Sequence, residues 1–165
     1  MQRVGTTPDS FYLPDYFDLR FYRPFARVPF IAQLAEELRS NFRWNGQLWN
    51  INHAICTHYK DGSDNIGFHD DKIRNITPGS PILIFSLGNS RDLQLKPNSD
   101  ANKVVTVSMQ SGSLFVLGAQ TNASWKHAIP VAKDTVGSRI SIIFRDIKTE
   151  IDTTKPVYFK KIWRD

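Results

Sequence analysis

The chain has 165 residues, of which 41% are hydrophobic and 12% aromatic, a size and apolar content that suit one compact domain with a single core. Its longest nearly unbroken apolar run, 81–87, is far shorter than the roughly 20 residues of a membrane-spanning helix, and the N-terminus lacks the order of a secretory signal. The net charge of +5 suits a polyanionic partner such as nucleic acid, and also suits a surface that is merely basic. We therefore expect one intracellular domain without a membrane span.

Residues 1–28 are rich in aromatic side chains and prolines, which can cover a core or stack on bases. From Pro29 to about Ser40 apolar residues recur at three- and four-residue spacing, which predicts an amphipathic helix. We expect residues 1–50 to pack on a core formed by 51–148. Residues 149–165 then form a C-terminal tail.

From position 50 to about Ile147 the sequence consists of short segments rich in β-branched and aromatic residues, separated by Gly, Pro, Asn and Asp. We predict strands at Asn52–Tyr59, Ile82–Leu87, Asp92–Leu95, Val104–Ser108, Ser113–Leu117, Trp125–Ile129 and Arg139–Arg145. Many short strands after one helix indicate a mainly β, α+β domain with a jelly-roll core of two sheets. The single cysteine, Cys56, lies in the first strand, where we expect a buried, unreactive thiol.

Candidate metal ligands follow the first predicted strand. Side chains alternate between faces in an extended segment, so His69 and Asp71 point to one side while Asp70 points to the other. His127, in a later strand, is a candidate third ligand. Two imidazoles and a carboxylate can hold one face of Fe(II) and leave the opposite positions open. Zinc accepts the same three groups together with a water molecule, so the spacing predicts a metal site for either ion.

Arg139 stands on an otherwise apolar predicted strand. A buried, unpaired guanidinium would cost several kcal/mol, so this side chain needs an anion. Arginine binds a carboxylate through two parallel hydrogen bonds. Its partner is either a protein carboxylate or an organic acid bound beside the metal. Because Ser141 and Arg145 share a strand face with Arg139, we expect this face to line a polar pocket.

Six motifs between Asn52 and Ile147 occur in a specific order and spacing. They are Tyr59-Lys60-Asp61-Gly62, the stretch from Asp64 to Asp71, Ser86-Leu87-Gly88 with Arg91-Asp92, Gly112-Ser113-Leu114, Trp125-Lys126-His127, and the stretch from Arg139 to Arg145. In these motifs the chain resembles the AlkB-like Fe(II)- and 2-oxoglutarate-dependent dioxygenases, a family with a double-stranded β-helix core.

The resemblance implies an enzyme that uses Fe(II) as cofactor and 2-oxoglutarate and O2 as cosubstrates. Its metal ligands would be His69, Asp71 and His127. Conversion of 2-oxoglutarate to succinate and CO2 would accompany hydroxylation of a C–H bond. On an N-methyl group the product is a hemiaminal that breaks down to formaldehyde and free amine. The implied function is therefore oxidative demethylation of N-alkylated bases in single-stranded or flipped-base DNA or RNA.

The same resemblance implies which residues hold the cosubstrate and the substrate. The 2-oxoglutarate residues would be Tyr59, Arg139, Arg145, Thr57 and Ser141. The family usually has asparagine where this chain has Thr57 and Ser141, so we expect hydroxyl groups to replace amide hydrogen bonds there. The implied substrate contacts are Phe68, Asp70 and Lys72.

Two departures from the family pattern leave other functions open. Nucleic-acid members commonly carry an acidic residue just beyond the metal aspartate, whereas here Lys72 follows Asp71 and would repel a cationic alkylated base. The segment before Asn52 is also short compared with their nucleotide-recognition lid. These departures favour a second hypothesis, an oxygenase of the same chemistry that acts on a protein side chain or a small metabolite. A noncatalytic binding module is a further alternative, which the presence of all three candidate ligands and both motif arginines, Arg139 and Arg145, disfavours. A zinc-dependent hydrolase is another, which Tyr59 and Arg139 disfavour.

Overall fold

A computed structural model of the chain describes residues 29–71, 76–134 and 137–147, and describes the backbone alone of 2–7 and 22–24. Most of the N-terminal aromatic segment lies outside the described residues. Lys72 and the C-terminal tail do so as well. The predictions made for these parts of the chain stay predictions.

The secondary structure consists of two helices and short strands along the described chain. The helices are α1 (Pro29–Asn41) and α2 (Ala119–Ser124). The strands are β1 (Gln2–Thr7), β2 (Tyr22–Pro24), β3 (Arg43–Trp44), β4 (Gln47–Leu48), β5 (His53–Tyr59), β6 (Ile66–His69), β7 (Ile82–Gly88), β8 (Arg91–Pro97), β9 (Val105–Met109), β10 (Leu114–Leu117), β11 (Trp125–Ile129) and β12 (Arg139–Arg145). Neither described helix is long and apolar enough to span a bilayer.

The predicted helix and the predicted strands are confirmed, with ends that shift by at most two residues. The sequence analysis did not predict α2 or strands β1, β2, β3 and β4, and it treated β6 only as extended chain. Two-residue strands and a six-residue helix are too short for hydrophobic periodicity to develop.

Two sheets form the body of the fold. The larger has the strand order β10-β7-β12-β5-β1-β2 and the smaller the order β6-β11-β8-β9. Buried side chains from both sheets form one cluster, to which the larger sheet contributes Ile82 and Ile84 and the smaller contributes Leu93, Leu95 and Met109. The sheets therefore pack face to face, and the predicted jelly-roll architecture is confirmed.

Helix α1 covers the outer face of the larger sheet. Its buried residues Ile31 and Ala35, four positions apart, pack in one cluster with Leu83, Ile142 and Phe144. Because side chains alternate along a strand, the neighbours of Ile142 and Phe144 in β12 point to the other face, toward the smaller sheet. This arrangement directs the polar residues of β12 into the space between the sheets.

Arg91 forms hydrogen bonds to the loop before β6 and to the residue after β11. Its Nη1 donates to the carbonyl of Asp61 at 3.0 Å, and its Nη2 donates to the carbonyls of Asp64 and Pro130. The first two carbonyls lie between β5 and β6, and the third follows β11. A single buried guanidinium thus holds together the chain segments that lead to β6 and leave β11.

Candidate metal and cosubstrate site

The three predicted metal ligands converge between the sheets. His69, Asp71 and His127 each offer one ligand atom, and these atoms lie within 4.8 Å of one another. His69 ends β6 and is the direct cross-strand partner of His127 in β11, which places their ring centroids 4.3 Å apart. Asp71 follows His69 by two residues. Two imidazoles and one carboxylate at this spacing can bind one cation from one side.

Arg145 holds the Asp71 carboxylate in place. Its Nε and Nη2 both donate to Oδ2, at 2.9 and 2.6 Å, and neither of these bonds involves Oδ1. Burial alone would raise the pKa of the Asp71 carboxyl, but the charge and hydrogen bonds of Arg145, helped by both histidines, outweigh burial and keep that pKa below its usual range. Asp71 is therefore a carboxylate at neutral pH.

The surroundings of the two histidines also suit metal binding. Burial, reinforced by the charge of His69, lowers the pKa of His127 to about 4, so this imidazole is neutral at pH 7. Within the described chain, the buried Nδ1 of His127 has no hydrogen-bond partner. The Nδ1 of His69 lies 2.9 Å from the carbonyl oxygen of Gly67, so a proton on Nδ1 leaves Nε2 as the ligand atom.

A pocket of about 130 Å³ adjoins the three ligands. The residues predicted to hold 2-oxoglutarate all line it: Thr57, Tyr59, Arg139, Ser141 and Arg145. The sequence analysis missed the apolar part of the wall, to which Ile55, Ile84, Leu93 and Ile129 contribute. These residues occupy ordinary strand positions, so their sequence pattern predicts burial but not contact with a ligand.

Arg139 is the most deeply buried cation of the pocket, with 1% of its surface exposed. Its Nε donates to the Ser86 hydroxyl at 2.8 Å, and the Tyr59 ring centroid lies 5.2 Å from its Cζ. No described residue accepts a hydrogen bond from Nη1 or Nη2, although both atoms are buried. Two unused donors on one planar guanidinium match the two oxygens of a carboxylate.

The three predicted substrate contacts are placed differently. Asp70 is exposed and lines the pocket, whereas strand alternation predicted it on the opposite face; β6 ends at His69, so the alternation does not extend to Asp70. Phe68 does not line the pocket, because it precedes His69 on β6 and alternation turns it to the other face. Its ring instead lies 4.3 Å from the ammonium group of Lys96. Lys72 is outside the described residues.

Asn122 is a site residue that the sequence analysis missed. It lies in α2, with 1% of its surface exposed. Its Oδ1 accepts a bond from the Asp71 amide and its Nδ2 donates to the Asp71 carbonyl, each at 3.0 Å. A single asparagine in a short helix carries no motif, so only the folded chain reveals this contact.

Comparison with known proteins identifies the class. The model of the 2OG-Fe(II) oxygenase superfamily matches residues 18–145, and the chain belongs to this superfamily. It is 36% identical over 109 residues to the DNA oxidative demethylase ALKBH2 of Homo sapiens, an alignment that covers 62% of this chain and 41% of that protein. It is 22% identical over 130 residues to the alpha-ketoglutarate-dependent dioxygenase alkB homolog 3 of Mus musculus, covering 67% of this chain and 46% of that protein.

A solved structure of OsALKBH1 has the same fold. The superposition has a TM-score of 0.51 at 20% sequence identity and covers 76% of this chain and 65% of that one. The chain spans less than half the length of the ALKBH2 and alkB homolog 3 proteins to which it is similar.

The residues of the pocket fit both groups in the superfamily's name. Two imidazoles and a carboxylate form a donor set for Fe(II), and the unused donors of Arg139 suit a carboxylate of 2-oxoglutarate. The spacing of the motifs was compatible with either Fe(II) or zinc. Membership of this superfamily favours Fe(II) over zinc.

Proposed function

We propose that this chain is an Fe(II)- and 2-oxoglutarate-dependent dioxygenase that oxidatively demethylates N-alkylated bases in DNA or RNA. One observation carries the proposal: a His-Asp-His cluster and a buried arginine with two unused donors line the same pocket. The choice of nucleic acid as substrate draws on the similarity to proteins named DNA oxidative demethylase.

In this proposal the three ligands hold Fe(II), with Asp71 binding through the oxygen that Arg145 leaves open. Arg139, aimed by Ser86, binds the distal carboxylate of 2-oxoglutarate, and Tyr59 adds a hydroxyl donor. When bound, the iron centre supplies the oxygen chemistry that couples oxidation of 2-oxoglutarate to hydroxylation of the substrate. The apolar wall limits access of water to the reacting groups.

Thr57 and Ser141 supply further hydroxyl groups on the same wall of the pocket. They face each other across β5 and β12, where they are direct cross-strand partners. A hydroxyl donates one hydrogen bond and accepts two, so each can serve a cosubstrate oxygen or a bound water. These two residues thus take the place of the amides that the family usually has.

Two surface lysines support a polyanionic substrate. Lys96 and Lys126 are direct cross-strand partners on β8 and β11, and Lys126 is the residue before His127. Neither forms an ion pair with any carboxylate in the described ranges. Like charges at facing positions destabilise a sheet, so a bound anion is favourable there. Phosphates of a nucleic acid strand supply such anions.

Asp70 supports an alkylated, cationic base. Its exposed carboxylate at the rim lies next to the metal ligand Asp71 and can offset the charge of Lys72. Lys72 itself is the observation that favours a second candidate, an oxygenase of the same chemistry acting on a protein side chain or a small metabolite.

The test is to incubate the purified protein with Fe(II), ascorbate and 2-oxoglutarate against a panel of methylated oligonucleotides and methylated peptides. We expect formaldehyde and succinate to appear together with demethylated oligonucleotide. His69→Ala and Asp71→Ala should abolish turnover, while His58→Ala, a half-buried histidine that does not line the pocket, should retain it. Turnover of peptides alone would favour the second candidate, and turnover by Asp71→Ala would refute the metal site.

A further inference from the structure

The backbone of Asp71 is held by a side chain from a distant part of the chain. The amide of Asn122 pairs with both the N–H and the C=O of Asp71, each at 3.0 Å, in the manner of two strands that exchange hydrogen bonds. Asp71 lies beyond β6, which ends at His69, so the strand ladder does not position it. Asn122 therefore supplies the contact that a neighbouring strand would otherwise make.

The same residue also lies close in sequence to the third metal ligand. Asn122 lies in α2, which leads directly into β11. His127, in β11, comes three positions after the last residue of α2. The amide N–H of Asn122 donates to the carbonyl of Gly118 at 2.9 Å, which fixes it within the helix. One buried side chain thus connects the segment that carries Asp71 to the segment that leads to His127.

We infer that Asn122 is a positioning residue for the metal centre. It sets where Asp71 stands relative to His127, and it does so without contributing a ligand atom. Partners that orient metal ligands in this way typically change metal affinity by about 10- to 100-fold when they are removed. The inference rests on the metal site proposed above.

The surroundings of Asn122 indicate that a substitution there is compatible with folding. Asn122 also lines a second cavity of about 200 Å³, together with Ser80, Ile82 and Ala119. In Asn122→Ala, water from this cavity can reach the Asp71 amide and carbonyl and replace the lost hydrogen bonds. Water does not fix their position as the amide does, so the placement of the carboxylate is lost while the fold is kept.

The experiment is a titration of the metal-free protein with Co(II) alone, followed by its absorption spectrum, with thermal unfolding measured in parallel. We expect Asn122→Ala to bind Co(II) about 10- to 100-fold more weakly than the wild type, with a changed spectrum. Asn98→Ala is the matched control, because Asn98 also bonds to α2, through the Ala123 carbonyl at 3.3 Å, but lies on the surface. It should bind Co(II) like the wild type.

Asn122→Asp is the second variant, used if Asn122→Ala does not fold. It is nearly isosteric and keeps an acceptor for the Asp71 amide, but it places a second acceptor against the Asp71 carbonyl. A folded Asn122 variant with wild-type Co(II) affinity and spectrum would overturn the inference. If instead the wild type and Asp71→Ala bind Co(II) equally, the proposed metal site itself is wrong.

Discussion

Arg145 and Asp71 connect the two sheets at the metal centre, since Arg145 belongs to the larger sheet and Asp71 follows a strand of the smaller one. Nε and Nη2 of Arg145 donate to the same Asp71 oxygen, and the two side chains are only 7% and 10% exposed. This contact neutralises a buried carboxylate and also leaves one of its oxygens for a metal. The packing of the sheets and the geometry of the site therefore depend on the same pair.

Arg145→Met should destabilise the metal-free protein by roughly 3–5 kcal/mol, because it leaves the Asp71 carboxylate buried without its partner. Urea denaturation measures this free energy of unfolding. Co(II) should recover part of the loss, since the cation replaces the guanidinium as a partner. Arg39→Met is the control: it removes a pair with Glu36, whose side chains are 31% and 66% exposed and which contributes about 0–1 kcal/mol, and a long 3.4 Å bond to the Ile51 carbonyl. Equal losses in the two variants would contradict the prediction.

Arg139→Met should raise the KM for 2-oxoglutarate by roughly ten- to a hundredfold, the effect of losing a charged hydrogen bond worth about 1.5–3 kcal/mol. Steady-state assays with varied 2-oxoglutarate measure it. Ser86→Ala should raise the KM less, because it removes only the hydroxyl that accepts a hydrogen bond from Nε and orients the guanidinium of Arg139. An unchanged KM in Arg139→Met would show that the anion partner of Arg139 is not the cosubstrate.

Lys96→Ala and Lys126→Ala should weaken binding to single-stranded oligonucleotides and make it less dependent on salt. Each phosphate contact that is lost should reduce the slope of log K against log salt concentration by about 0.7. Fluorescence anisotropy across a range of salt concentrations provides the slopes. Lys133→Ala, an exposed lysine in the loop after β11, serves as the control and should keep the wild-type slope. Identical slopes in all variants would exclude Lys96 and Lys126 from the interface.

Gly88→Ala should destabilise the fold and weaken 2-oxoglutarate binding together. Gly88 has a φ of +86°, and an added Cβ would collide with the carbonyl oxygen of Ser138. Gly88 is also the cross-strand partner of Arg139, so relief of the collision moves the arginine. We expect a loss above about 1 kcal/mol in urea denaturation. Gly46→Ala has a similar φ of +77° but open space around its Cβ, and it should cost less. Equal losses would refute the role of the collision.

Cys56 should react slowly with alkylating agents. Burial raises the pKa of its thiol from 9.0 to about 11, and only the thiolate reacts. Because each pKa unit changes the thiolate fraction tenfold, alkylation by iodoacetamide at pH 8 should be about a hundredfold slower than for a thiol of pKa 9.0. The rate should still increase with pH up to about pH 11, as thiolate forms. Mass spectrometry of timed samples measures the rate, and alkylation as fast as that of a cysteine peptide would contradict the prediction.

Local patterns accounted for most of the fold. Helix α1 was predictable because its apolar residues recur on one face, and β12 because it is a short segment in which β-branched and aromatic residues alternate with polar ones. The pattern failed for α2, whose six residues AQTNAS complete fewer than two turns and include a single buried side chain, Asn122. It also failed for β3 and β4, where two residues each cannot show an alternation.

The sequence by itself determined which side chains can bind a metal or a carboxylate and which of them share a strand face. His69 and Asp71 are two residues apart, and the polar residues of β12 alternate with its apolar ones, so extended-chain geometry is enough to group them. The motifs that carry the family resemblance add further information, because they occur in a specific order along the chain.

Only the tertiary structure decided how these groups meet. The bond between Arg145 and Asp71 spans 74 positions and the contact between Asn122 and Asp71 spans 51. Residues so far apart in sequence are brought together by the packing of one sheet on the other. This packing is a cooperative property of the whole core, and no local sequence pattern contains it. The same packing buries the guanidinium of Arg139 and leaves two of its donors facing the pocket.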